Sequence, residues 1–94
     1  MDDTKYSELF SLGTLVMTEG VREKVPLKES WDALIRHLVG DWGDLSEKDW
    51  ALNDEALVNG SRLMSVYQTS SGIRFWIITE WDRSVTTLLL PNEY

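Results

Sequence analysis

RLMSVYQTSSGIRFWIITEWDRSVTTLLLPNEY, residues 62–94, sets the fold class. Turn residues interrupt it at Ser70-Ser71-Gly72 and again at Asp82-Arg83-Ser84. The three pieces so defined are rich in β-branched and aromatic residues, which is the composition of strands joined by tight reversals. The spacing predicts strands over 62–69, 73–81 and 85–90, the last stopped by Pro91, which has no N–H to give to a ladder. In the first, Met64 and Val66 share one face while Leu63, Ser65 and Tyr67 share the other. In the second, Phe75, Ile77 and Thr79 alternate with Trp76, Ile78 and Glu80, so both faces carry apolar bulk. Helices are expected on one face. The other needs a cover of its own: the N-terminal strand, a second copy of the chain or a partner.

Upstream of this stretch the pattern is helical. Residues 1–8 are expected to fray, and Thr14-Leu15-Val16-Met17-Thr18 is a short strand candidate. Thr18 is placed to cap a brief helix over 19–24 that Pro26 ends. From Glu29 to Val39, apolar residues at Trp31, Leu34, Ile35, Leu38 and Val39 draw one stripe on a second helix, which Gly40 closes. Ser46 with Asp49 resembles a capping box and starts a third helix ending before Gly60, with Trp50, Asn53, Ala56 and Leu57 on its buried side and Ala51 and Val58 beside them. The expected architecture is therefore α+β, a single domain of two to three short helices on a three- or four-stranded antiparallel β-meander.

Composition narrows the function classes. Ninety-four residues form one small domain that buries roughly 60 to 65% of its unfolded surface, and five Trp rings help to fill its core. Absence of Cys removes disulfides and thiolate chemistry and suits the reducing cytoplasm. Met1-Asp2-Asp3 is acidic where a secretory signal is basic, and no apolar run reaches the ~20 residues of a membrane span. Nine basic against sixteen acidic residues give a net charge of −7. Direct nucleic-acid binding is not expected of such a surface, whereas basic partners are, including the Lys/Arg-lined grooves of proteins that hold nucleic acid.

The chain carries no recognisable catalytic constellation. His37 is the only His, which rules out a multi-His metal site, and its position off the apolar stripe, four residues before Asp41, suggests a surface ion pair or a favourable contact with the C-terminal helix dipole. Gly-rich phosphate loops and Gly-x-Ser-x-Gly elbows are missing. Neither a catalytic residue nor a cofactor nor a metal site is expected. Two segments remain as partner-binding candidates. One is the loop Gly40-Asp41-Trp42-Gly43-Asp44 with the following Glu47 and Asp49. In it, Trp42 either plugs the core or stands in solvent, and the carboxylates serve either as turn and helix-start charges or as a binding face. The other is the hairpin tip Glu80-Trp81-Asp82-Arg83, where an aromatic ring and an Arg are the residue types that most often anchor interfaces.

Leu12-Gly13-x-Leu15-Val16, His37-x-x-Gly40-Asp41-Trp42-Gly43-Asp44-Leu45, Asn59-Gly60-x-Arg62-Leu63 and the run from Trp76 through Thr86-Thr87-x-Leu89-Leu90-Pro91-x-Glu93-Tyr94 resemble a family of small uncharacterised bacterial proteins. Its members are carried on plasmids, prophages and other mobile elements and are labelled plasmid-related or as restriction-system subunits. Trp81 departs from the smaller residue of that family. The resemblance implies a mobile-element setting and carries over no activity or functional residue. Together with the charge, it leads to the expectation of an acidic protein-binding module, a counter-defence inhibitor of anti-CRISPR or anti-restriction type. Its partner would be a nucleic-acid-binding protein or defence complex. Two alternatives are a small enzyme using acids near Gly40 to Asp44, and a self-associating accessory protein, possible as a homodimer.

Overall fold

A computed structural model describes residues 8–94. The chain runs β1 (Thr14–Met17), α1 (Glu19–Lys24), α2 (Leu27–Leu38), α3 (Glu47–Asn59), β2 (Leu63–Gln68), β3 (Arg74–Thr79) and β4 (Val85–Leu89), then a 3₁₀ turn over Pro91–Glu93. The class is α+β, as the patterning predicts. Residues 1–7 of the segment expected to fray lie outside the described residues. No helix among the described residues is long and apolar enough to cross a membrane.

The sheet corrects the expected topology. β2, β3 and β4 do form an antiparallel meander, with Leu63 opposite Thr79 and Ile77 opposite Leu88. β1, however, joins the far side of β4 in parallel, giving a mixed sheet of order β1-β4-β3-β2. Three helices separate β1 from β2 in the chain, a connection long enough to carry a strand to the distant edge without a hairpin. Gly13 makes the approach possible: at φ 65°, a Cβ there would stand 2.2 Å from the Ser84 carbonyl oxygen.

The helix ends obey their local signals. The Thr18 hydroxyl accepts from the Val21 N–H at 3.3 Å, and Ser46 Oγ accepts from the Asp49 N–H at 3.1 Å. Gly60 closes α3 in the left-handed region at φ 75°. α1 gains a distant cap as well, because the Glu93 carboxylate accepts from Thr18 Oγ1 at 2.6 Å and from the Gly20 N–H at 2.9 Å. These bonds hold the Glu93 carboxyl below its usual pKa, the Thr18 hydroxyl first among the causes.

The face of α2 differs from the expected stripe. Ser30, Ala33, Leu34 and His37 are buried, while Trp31, Ile35 and Val39 are exposed at 47%, 50% and 37%. Ser30 and Ala33 are small enough to let the helix lie close on the sheet, and the His37 ring it buries finds partners there. The helix also starts earlier than Glu29, at Leu27 behind Pro26. α3 buries Asn53 and Ala56 with Trp50 and Leu57 beside them, as its spacing predicts, but Ala51 and Val58, expected next to them, turn outward and are exposed.

Two apolar clusters lie under the helices. One joins Val21, Leu34, Tyr67, Phe75, Ile77 and Leu88; the other joins Trp42, Ala56 and Leu63 with Phe10 and Trp50 against them. On the opposite sheet face Val66, Ile78 and Leu89 are nevertheless buried, beside half-buried Met64 and Trp76. The N-terminal strand extends this sheet instead of covering it. The Tyr94 ring packs edge-on against Trp76 at 5.4 Å and supplies part of the cover.

Candidate functional site

The centre of the molecule is polar. His37 Nδ1 lies 2.5 Å from Ser65 Oγ, and its Nε2 lies 2.9 Å from Thr79 Oγ1. Thr79 Oγ1 is 2.7 Å from Thr86 Oγ1, which donates to the Leu12 carbonyl at 2.8 Å. A carbonyl can only accept, so the direction of the whole chain follows from its end. Thr86 spends its proton on Leu12, Thr79 therefore donates to Thr86, and His37 donates to Thr79 through Nε2–H. Nδ1 is left with a lone pair that accepts from Ser65. His37 is neutral in this arrangement, and burial, helped by Arg83, lowers its pKa to about 3.

The expected surface ion pair of His37 with Asp41 is thus overturned: His37 is fully buried, and Asp41 is engaged by Arg36 instead. A hydroxyl donating to an imidazole is the geometry of an activated nucleophile. Here Ser65, His37, Thr79 and Thr86 all have no exposed surface beyond 0%, and a threonine hydroxyl stands where an orienting carboxylate would be. The set joins α2, β2, β3, β4 and the segment before β1. Its chemistry is that of a satisfied polar core, and no buried side-chain polar atom among the described residues lacks a partner.

The expected partner-binding residues separate into three kinds. Trp42 is fully buried, so its place among them is corrected. Its ring packs against Phe10 and His37, and its Nε1–H donates to Asp54 at 3.0 Å. Gly43, at φ 77°, brings this segment onto β2, where the Trp42 carbonyl accepts from the Val66 N–H at 3.1 Å and the Asp44 N–H donates back to Val66 at 2.7 Å. A Cβ on Gly43 would fall 2.0 Å from that same Val66 oxygen.

Arg83 is half-buried and engaged within its own domain. It is a non-glycine residue at φ 61°, and its guanidinium donates to the carbonyls of Ser61 (2.6 Å), Ala56 (3.0 Å) and Glu80 (3.1 Å). It therefore caps the C-terminal end of α3, which has no basic residue of its own in the last turn.

The remaining candidates lie at the surface. Asp41 is gripped by Arg36 at 2.7 and 3.1 Å, which holds its carboxyl below the usual range, and Asp44 pairs with Arg74 at 2.8 Å. Glu47 and Asp49 are exposed on the first turn of α3. Trp81 stands 67% exposed beside Asp82, whose carboxyl is lowered by the Ser84 hydroxyl, and Glu80 is half-buried. The two groups do not form one site. Arg83 touches the last turn of α3 and Glu47 opens its first, so roughly 15 Å of helix separates them at 1.5 Å per residue.

Two surface features escape the sequence reading. Asp54 and Glu55 are exposed further along α3, so that Glu47, Asp49, Asp54 and Glu55 accompany a single base, Lys48. Leu27, Trp31, Ile35 and Val39, each four residues apart, form an exposed apolar stripe on α2. The four-residue repeat was the available signal, and it competes with the partly overlapping stripe through Leu34. No protein-family model matches the chain, and no curated protein or solved structure matches it.

Proposed function

We propose that the protein is an acidic binding module that acts on another protein, a counter-defence inhibitor of anti-CRISPR or anti-restriction type. The observation that carries this reading is the excess of exposed carboxylates on α3, Glu47, Asp49, Asp54 and Glu55 with Lys48 as the helix's only base, on a chain of net charge −7. Such an acidic excess complements a groove lined by Lys and Arg, and the low-dielectric surroundings of a groove strengthen the attraction. The mobile-element resemblance supplies the setting in which blocking a nucleic-acid-binding surface is useful. Internal use of the Ser65–His37 pair and of the Arg83 guanidinium accords with binding rather than chemistry.

The test is transformation efficiency with a targeted plasmid in strains that each carry one defined restriction or CRISPR system. Expression of the protein should raise transformation through at least one of them. Glu47→Lys with Glu55→Lys, both at exposed positions, should abolish the protection while leaving the fold intact. Protection against none of the systems, or protection that survives the double reversal, contradicts the reading.

A further inference from the structure

The two edges of the sheet are treated differently. At β2 the outward backbone groups of Met64 and Val66 are engaged. Asn53 accepts from the Met64 N–H at 3.2 Å and donates to the Met64 carbonyl, and the Trp42 to Asp44 segment brackets Val66. At β1 the opposite holds. The Thr14 N–H donates to Ser84 at 2.8 Å and the Thr18 N–H to Leu88 at 3.0 Å, which turns Thr14, Val16 and Thr18 towards β4. By the alternation of a parallel ladder, the N–H and carbonyl groups of Leu15 and Met17 then point away from the sheet. The strand has no Pro, Lys or other charge to blunt it.

Beside this edge, on the helix side, lies a groove of about 540 Å³ lined by Leu15, Met17, Val25, Leu27 and Trp31 with Arg22 at its rim. Val16, on the outer face, is 40% exposed. The surrounding charge is balanced. α1 contributes Glu19 and Glu23 against Arg22 and Lys24, on a chain that is otherwise strongly acidic. A second copy meets no net repulsion at this face, whereas the acidic excess on α3 would repel it.

We infer that β1 is the contact surface for a second copy of this chain, paired antiparallel across a two-fold axis at Val16 to make one continuous sheet. Among the described residues no backbone partner meets these groups, and they fix the register. With Val16 opposite the partner's Val16, Leu15 stands opposite the partner's Met17, and all four outward N–H and carbonyl groups on each side are satisfied in hydrogen-bonded pairs. The side chains of Leu15 and Met17 from both copies then share the helix-side layer with the two grooves. A stable dimer covers roughly 1,200 Å² or more in total. Four strand residues do not reach that alone, so Leu27 and Trp31 at the groove rim belong to the same contact. The inference is independent of the acidic face on α3 and would stand if that reading failed.

Cysteine placement reads the geometry directly, because the chain has no Cys of its own. In a non-hydrogen-bonded antiparallel pair the Cα atoms sit about 4.5 Å apart, inside the window of about 4.4 to 6.8 Å that a disulfide tolerates. Under mild oxidation Val16→Cys should form a covalent dimer at low protein concentration, while Val58→Cys, 90% exposed on α3, should remain monomeric. In sedimentation equilibrium the parent chain should dimerise, and Val16→Lys, which sets two like charges face to face, should weaken association at least tenfold, or ~1.4 kcal/mol. Three results would overturn the inference: a parent chain that stays monomeric, Val16→Cys linking no faster than Val58→Cys, or a dimer indifferent to Val16→Lys. Capture of an extended peptide by a monomeric chain would likewise overturn it, by giving the edge a different occupant.

Discussion

His37 Nε2 donates to Thr79 Oγ1 at 2.9 Å, and this one bond joins the helical layer to the middle of the sheet. Because burial lowers the His37 pKa from 6.5 to about 3, the unfolded chain takes up a proton that the folded chain refuses. The stabilisation is complete above about pH 6.5 and declines as pH falls towards 3, with a slope near ~1.4 kcal/mol per pH unit in that window. Asp41, also depressed, adds loss of the same sign at lower pH. Melting temperature should therefore fall between pH 7 and pH 5, before the carboxylates titrate. As the only imidazole in the chain, His37 should show a neutral Nε2–H ring by NMR throughout that range.

Asn53 plays the part of a fifth strand towards Met64. Its replacement by Ala strips the Met64 N–H and carbonyl of their partners and should cost about 1 to 3 kcal/mol in urea unfolding. Amide exchange at Met64 should accelerate in the variant more than at Ile77, which lies inside the sheet.

Trp42 and Trp81 should respond oppositely to truncation. Trp42→Ala empties a fully buried site and should destabilise by about 3 to 5 kcal/mol. Trp81→Ala, at a 67% exposed tip, should change stability by no more than ~0.5 kcal/mol. Equal losses measured by thermal melting would contradict the placement of the two rings.

Arg83→Lys should cost about 1 to 2 kcal/mol although charge is kept, because an ammonium cannot span the carbonyls of Ala56, Ser61 and Glu80 as the planar fork does. Denaturant midpoints of the two proteins check this. The β-strand turn at this position is held by the guanidinium, so a silent substitution would remove Arg83 from the cap of α3.

What the sequence makes legible here is local. Thr18, Ser46 and Gly60 announce helix ends, and the alternation through Ile77 and Ile78 announces a strand covered on both faces, at 0% and 4% exposure. What it hides is non-local. The buried face of α2 runs through Ser30 and His37, which look like surface residues until hydroxyls on three different strands are placed beneath them. β1 looks like a cover or a fourth meander strand, since nothing in a four-residue run specifies a parallel neighbour some seventy positions away. Of the candidate site, Trp81, Glu47 and Asp49 were readable as surface features. Trp42 as a core plug was one of the two readings its loop offered, and burial selects it; Arg83 was not readable as a cap, because its partners Ala56 and Ser61 are distant in the chain.

The central claim is that activity resides in the exposed acids of α3 and not in the buried polar set. The most direct measurement compares Thr79→Ser, which keeps a hydroxyl beside His37, and Ser65→Ala, which removes the one hydroxyl of that set that donates to the imidazole, with the double reversal Glu47→Lys and Glu55→Lys in the plasmid-protection assay. The account predicts that both core variants, where folded, protect as the parent does and that the double reversal does not. Loss of protection on Ser65→Ala in a chain that still melts cooperatively, with the double reversal fully active, would contradict it.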